Sequence, residues 1–399
     1  MSWKVLRLNE IGDIVTGNTP SKTNSEFYGG EVPFVSPAEL GHGRIVRAKQ
    51  TLTQLGAKSA RVLPKNSVLI CCIGSLGKVG LAGVDLATNQ QINSIIVNER
   101  VAYYKYVYYY CLTLKKRLES IAPATTVAIV NKSKFGDLKI PLPSLATQKQ
   151  IAAVLEKADN LRQQSQQMER ELNSLAQSVF WDMFGDPKSN PKRWQKRPLK
   201  SILEKLVGGK SLAAPEQHTD VSEYRVLKIS AVTSGQYNPL ESKALPADYI
   251  PPKEHFVQVN DLLISRANTT ELVGATTMVF DTPENLLLPD KLWKFQWKES
   301  EPLSQIFMWK LLSSKAMRHR LSEISSGSGG SMKNISKSKL LELEVIFPDY
   351  DKQMEYENFY LRLRDQMLLN KEYISQAEGQ FNSLMQRAFK GELEIKNVA

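Results

Sequence analysis

The sequence predicts an α+β chain: two similar, strand-rich mixed α/β domains joined by two long antiparallel coiled-coil helices in a pseudo-two-fold internal repeat. Three observations predict it. The chain repeats itself once, each copy opens with short apolar runs broken by Gly and Asn, and each closes with proline followed by heptads. Its 399 residues leave room for two to four domains of about 100–200 residues.

The repeat comes first. Trp3, Leu8, Ile11, Val15 and Gly17 recur at a constant offset of 191 as Trp194, Leu199, Ile202, Leu206 and Gly208. Residues 66–70 line up with 260–264, Gly80 with Gly274, and 130–134 with 335–339. Leu138, Ile140, Leu142, Pro143 and Gln148 match Leu343, Val345, Phe347, Pro348 and Gln353. Residues 173–175, Gln177 and Phe180 return as 382–384, Gln386 and Phe389, an offset grown to 209. Loop insertions produce such drift.

Within each copy, 68–73 and 92–97 are short apolar runs bounded by Gly or Asn and read as buried strands. Residues 103–118 and 303–321 lack Gly and Pro and read as helices. Pro141, Pro143 and Pro348 mark the domain exits. Beyond them apolar residues alternate spacings of four and three. The first seam runs through Val154, Ala158, Leu161, Ser165, Met168, Leu172, Leu175 and Val179. The second runs through Tyr356, Tyr360, Leu363, Met367, Asn370, Ile374, Ala377, Phe381, Leu384 and Ala388. Ser165 and Asn370 interrupt the seams, and in an antiparallel pair they would face each other and pin the register. The off-seam apolar residues Ile151, Phe180, Met183, Phe359 and Leu368 suggest a surface for further helices. The expected division is a domain over 1–147, a helix over 148–184, a linker over 185–193, a domain over 194–351, a helix over 352–391 and a tail over 392–399.

The composition excludes several classes. Three cysteines, two of them adjacent, make no disulfide framework, and as strand neighbours Cys71 and Cys72 would point to opposite faces. The four histidines, His42, His218, His255 and His319, are scattered without zinc spacing. There is no secretory leader pattern and no long apolar window, so a reduced, cytoplasmic chain is expected. Gly208-Gly209-Lys210-Ser211 resembles the end of a P-loop, but Glu204 stands where its first Gly belongs, and Gly77-Lys78 fails likewise at Cys72. No dinucleotide fingerprint, nucleophile elbow or Asn-Pro-Pro-aromatic loop is present. Asp290 and Asp349 lack the Glu-x-Lys partner of a nuclease, and Glu342 and Glu344 read as a solvated face. No catalytic or metal site emerges.

Binding residues do. Lys and Arg number 52 against 41 Asp and Glu, a net charge of +11. Such a surplus fits a polyanion, a membrane surface or an acidic partner, or is an inert basic surface. Phosphates recruit Lys and Arg, whereas base edges recruit Arg, Asn and Gln. In the first copy the candidates are Lys22, Arg44, Arg47, Lys49, Lys58, Arg61, Lys78, Lys132, Lys134 and the amide run Asn89, Gln90 and Gln91. In the second they are Lys210, Arg266, Asn268, Thr269, Thr270, Lys291, Lys333, Lys337 and Lys339. The amide run either meets a polar ligand or satisfies a turn. Lys132/Lys134 and Lys337/Lys339 are either phosphate anchors or solvated strand edges. The Ser/Gly run at 325–331 either wraps a sugar-phosphate backbone or is a flexible loop.

Several motifs resemble one family. Residues 141–151 (PLPSLATQKQI), running into Leu155, Ala158 and Asp159, resemble the domain exit of type I restriction–modification specificity subunits. Residues 17–21, 28–30 with 32–35, 88–91 and 386–393 are similar to other parts of that family. The second copy departs, with 208–211 lacking Thr-Pro-Ser and 288–291 (LPDK) replacing 88–91 (TNQQ). The resemblance implies two target-recognition domains, each reading one half of a bipartite asymmetric double-stranded DNA site, on a chain that itself performs no chemistry. It further implies two methylation subunits and two restriction/motor subunits as partners. S-adenosylmethionine, ATP and Mg would sit on those partners.

The first seam, 154–179, spans roughly 39 Å at ~1.5 Å per residue, or about 11 base pairs at ~3.4 Å each. The helices are therefore expected to act as a ruler between half-sites. The competing readings are a stand-alone DNA-binding regulator, a coiled-coil scaffold with an incidental basic surface, and a restriction enzyme.

Overall fold

In the computed structural model the described residues are 3–41, 43–123, 127–212, 221–246, 248–327 and 332–393. His42, His218 and residues 328–331 of the Ser/Gly run lie outside them. The chain forms two compact units, one of residues 1–167 with 371–399, the other of residues 168–370. Two long helices, Leu145–Phe184 and Tyr350–Lys390, each lend one end to each unit.

In the first unit a five-stranded sheet runs in the order Gly12–Thr16, Ile92–Val97, Val68–Cys71, Val79–Ala82, Arg44–Ile45. Its side chains alternate with a period of two. Val68, Ile70 and Cys72 face a core with Leu8, Ile11, Tyr106 and Phe135, whereas Leu69 and Cys71 face another with Val35, Leu63 and Leu86. The adjacent cysteines thus divide between faces. A second sheet, Gln50–Leu52, Tyr28–Val35, Leu86–Thr88, Val62–Leu63, stands beyond that second core. Lys4–Arg7 pairs antiparallel with Lys139–Leu142, which ties the start of the chain to the domain exit.

The second unit repeats this plan. Lys196–Pro198 pairs with Glu344–Ile346. The main sheet runs Leu203–Gly208, Leu292–Trp297, Leu262–Ser265, Thr276–Met278, accompanied by Ser242–Pro246, Val221–Leu227 and Leu286–Leu287. The ladder corrects the repeat in one place. A register shift between Leu203 and Lys205 sets Leu206 opposite Phe295, as Ile14 stands opposite Ile95. One extra residue in a bulge advances the following chain by one position. Leu206 therefore matches Ile14 rather than Val15, and Gly209, not Gly208, takes the place of Gly17.

Each expected domain helix is two helices: Tyr104–Leu112 and Lys115–Ile121 in the first unit, Gln305–Ser313 and Lys315–Glu323 in the second. Ser314 adopts an extended conformation and its hydroxyl accepts the Met317 N–H, so it caps a new helix. In the first unit Thr113 turns its hydroxyl back to the Tyr110 carbonyl at 2.7 Å.

The ends of the long helices pack inside each unit. In the first, Arg162 lies 5.2 Å over the Phe381 ring and Gln166 donates to Glu378 at 3.1 Å, so the two segments run antiparallel. In the second, Tyr356 donates to the Ala176 carbonyl at 3.1 Å, and Phe180 and Phe184 pack on Tyr356 and Phe307. The second seam holds: Tyr356, Tyr360, Leu363, Phe381 and Ala388 are buried, with Met367, Asn370, Ile374 and Leu384 half-buried.

The first seam needs correction. Leu161, Met168 and Leu175 are 49%, 48% and 44% exposed. Of the expected seam only Ala158 is buried, with Val154, Ser165, Leu172 and Val179 half-buried at the margin; the other buried apolar residues are Ile151, Ala152, Leu155, Ala176, Phe180 and Phe184. The reason is Arg162, which spends its stem and guanidinium on Phe381 while bonded to buried Asp159, so a residue counted as polar fills an apolar place. Ile151 and Phe180 are accordingly core residues, not a surface for further helices. Ser165 belongs to the first unit and Asn370 to the second.

Candidate nucleic-acid interface

In both units the polar loops leave the same end of the main sheet, where its first strand ends and its second in sheet order begins. Close approach there demands glycine. A Cβ on Gly17 would stand 2.3 Å from the carbonyls of Thr88 and Asn89, and one on Gly209 would stand 1.7 Å from that of Leu288.

In the first unit Asn18 organises the cluster. Its amide donates to the Ser59 carbonyl at 2.8 Å and its oxygen accepts the Arg61 N–H at 2.9 Å. Arg61 in turn donates to the Thr16 carbonyl at 2.7 Å. Thr19 donates to the Gln90 side-chain oxygen at 2.6 Å. The Asn89 oxygen accepts the Gln91 N–H at 3.0 Å while its amide donates to the Gln91 side chain at 3.0 Å. The amide run therefore satisfies its own turn, yet exposed Gln90 keeps its NH2 group without an acceptor among the described residues.

Lys58, next to Ser59, and Lys78, before the strand Val79–Ala82, are exposed at this end, as is Lys22 two residues beyond the Pro20 carbonyl that Tyr28 holds at 2.7 Å. Main-chain bonds from Gly74 to Ala128 and from Val130 to Cys72, each 2.9 Å, bring the following Lys132 and Lys134 alongside. These two lysines sit on a short helix, Lys132–Gly136, capped by Asn131, not on a strand edge. Arg44, Arg47 and Lys49 stand apart. Arg44 lies on the strand at the sheet edge opposite Gly12–Thr16, and the other two follow it.

In the second unit Arg266 is central. Its Nε donates to the Asp290 carbonyl at 2.7 Å, its Nη2 lies 3.9 Å from the Asp290 carboxylate, and its guanidinium stacks 5.5 Å over Trp293. Ser211 donates to the same carboxylate. Main-chain bonds link Arg266 to Lys291 at 3.0 Å and Ile335 to Arg266 at 2.8 Å. The short ladder of Ala267–Asn268 with Lys333–Asn334 sets Asn268 beside Lys333. Lys210 follows Gly209, whose N–H donates to Pro289 at 3.1 Å. The structure thus joins Lys210, Arg266, Asn268, Lys291 and Lys333.

Thr269 and Thr270 serve the adjacent turn, their carbonyls accepting from Leu272, Val273 and Ser322. Lys337 is exposed yet already engaged: its ammonium donates to the Leu206 carbonyl at 3.0 Å and lies 5.7 Å from the centre of the Trp293 ring, and it sits on a helix rather than a strand edge. Lys339, on the same short helix Lys337–Leu341, is exposed.

Sequence reasoning missed Asn18, Thr19, Ser211, Asp290 and Trp293 as members of these clusters. Their signal was available only in part. Asn18 and Thr19 lie in the motif 17–21, but nothing local marks Trp293 as the platform for Arg266.

Cys71 and Cys72, at the end of the strand beside these loops, are buried. Burial pushes the Cys72 thiol up to about 12 and raises Cys71 as well. Burial lowers Lys310 to about 8, but its ammonium lies 4.0 Å over Trp309 and 4.2 Å over Tyr360, among core aromatics. Among the described residues no group of three or more His, Cys, Asp or Glu is placed to share a metal. No helix among the described residues is long and apolar enough to cross a membrane.

Comparison with known proteins gives these clusters a context. The sequence model of the type I restriction modification DNA specificity domain matches twice, at residues 1–173 and 191–377. The type I restriction enzyme MjaIX specificity subunit of Methanocaldococcus jannaschii is 26% identical over 254 residues, 58% of this chain and 59% of its own length. The HindI specificity subunit of Haemophilus influenzae is 33% identical over 165 residues, covering 39% of this chain and 36% of its own. The MjaVIII specificity subunit of M. jannaschii is 23% identical over 420 residues, covering 99% and 94%. Among solved structures, a type I restriction–modification S subunit from M. genitalium covers 98% of this chain and 96% of its own at a TM-score of 0.63 and 15% identity, a likeness of fold.

Proposed function

This chain belongs to the type I restriction–modification DNA specificity family, and from that premise we propose that it is the DNA-reading subunit of such a complex. Each unit reads one half of a bipartite, asymmetric site through the loop cluster at the end of its main sheet. The observation that carries this reading is the duplication itself. Equivalent places in the two sheets carry different residues: Cys72 and Gln91 in the first unit stand where Arg266 and Lys291 stand in the second, and the exposed amide of Gln90 is found only in the first. Two different chemistries on one scaffold fit two different half-sites.

The chain positions DNA, and its partners react. Two methylation subunits supply S-adenosylmethionine and methylate adenine, and two restriction/motor subunits supply ATP- and Mg-dependent cleavage. Exposed Met168 and Leu175, seven residues apart on one helix, and exposed Leu368 and Leu369 offer apolar surface for the methylation subunits. The long helices set the half-site spacing.

Binding measured across salt concentrations tests the reading. If the lysines and arginines of both clusters make about 6–10 phosphate contacts, affinity for the bipartite duplex falls roughly 10³- to 10⁵-fold between 50 and 200 mM salt. The specific duplex should retain its advantage over a scrambled one throughout. Equal affinity for both duplexes at every salt would leave only an incidental basic surface.

A further inference from the structure

We propose that Arg266 reads a guanine in the half-site bound by the second unit, and that Trp293 and Asp290 hold its guanidinium ready to do so. This rests on the DNA-reading role proposed above and names a base-contacting group within it. A guanidinium has two usable edges. The edge made by Nε and Nη2 faces Asp290, with Nε 2.7 Å from its carbonyl and Nη2 3.9 Å from its carboxylate. Ser211 binds that carboxylate from the other side and so fixes the partner. The edge made by Nη1 and Nη2 keeps Nη1 without an acceptor among the described residues.

The guanidinium carbon also lies 5.5 Å from the centre of the Trp293 ring, a cation–π contact that together with the bond to Asp290 restricts its movement and reduces what is lost on binding. A planar fork with two open donors matches guanine O6 and N7 in the major groove. No corresponding group exists in the first unit. Cys71 and Ile92 pair there as Ser265 and Leu292 pair here, which places buried Cys72 where Arg266 stands and Asn93 where Trp293 stands. This guanine contact therefore belongs to the second unit's half-site.

The test selects duplexes from a randomised library with the chain assembled with its methylation subunits, at one fixed salt concentration. Wild type should demand guanine at one position of one half-site. Arg266→Ala should relax that position by about 5- to 150-fold, leaving the remaining positions and the other half-site unchanged. Arg266→Met keeps an apolar stem over Trp293 and removes the fork, and should relax the same position; if Arg266→Ala does not fold, this variant decides. Guanine preference surviving in both variants overturns the proposal. So does an even loss of affinity over all sequences, the behaviour of a phosphate or purely structural contact. A wild-type selection without any bipartite motif would overturn the DNA-reading role itself.

Discussion

Gln353→Leu is expected to destabilise the second unit by about 2–6 kcal/mol, from two buried groups left unpaired at about 1–3 kcal/mol each. Gln353 is fully buried. Its oxygen accepts the Ser304 N–H at 3.0 Å and its amide donates to the Pro348 carbonyl at 2.7 Å. One side chain thus joins the first turn of a long helix to the N-cap of the domain helix Gln305–Ser313. Gln148 repeats the clamp, accepting from Tyr103 at 2.8 Å and donating to Pro143 at 2.9 Å. Its surroundings are only part-buried, so Gln148→Leu should cost less. Urea unfolding with hydrogen exchange to locate the loss checks both. The clamp also fixes the direction in which each helix leaves its domain, so a stable variant with unaltered exchange around residues 304 and 348 would show that packing alone sets it.

Inserting one heptad into each long helix is expected to lengthen the unread spacer between half-sites by up to about three base pairs, since seven residues add about 10.5 Å. Whole heptads keep the seam on its face. The half-sites should not change, because no loop residue is touched. A methylated-adenine map in cells carrying the variant reads both. Unaltered spacing would remove the ruler from the account while leaving the recognition loops in place.

The parts legible in the sequence are those where composition and geometry say the same thing. Pro143 and Pro348 were legible because proline ends one element just before each long helix begins, whereas the clamps made by Gln148 and Gln353 appear only in the structure. The second seam was legible because its buried positions are filled by Tyr356, Tyr360, Leu363 and Phe381. The first was misread because Arg162 buries its stem on Phe381 while Leu161 and Met168 stay exposed, the reverse of what hydropathy suggests. The bulge between Leu203 and Lys205 was invisible, since one extra residue in a strand leaves the residue types of the run unaltered.

The candidate site shows the same division. Local sequence marked the amide run Asn89, Gln90 and Gln91 as unusual for its place and gave Arg266 and Lys291 only as basic residues among polar neighbours. Which of them meet depends on hydrogen bonds between segments far apart, such as the main-chain bond from Ile335 to Arg266 and the bond from the Arg61 N–H to the Asn18 side chain. Arg44, Arg47 and Lys49 belonged to the same composition but stand apart from that cluster. Lys337 was spent on the Leu206 carbonyl.

A map of methylated adenines in cells with and without this gene, the methylation subunit retained, tests the central claim most directly. The account predicts a bipartite, asymmetric motif, its two halves unlike each other, that is present with the gene and absent without it. An identical map in both cells would contradict the assignment of DNA reading to this chain.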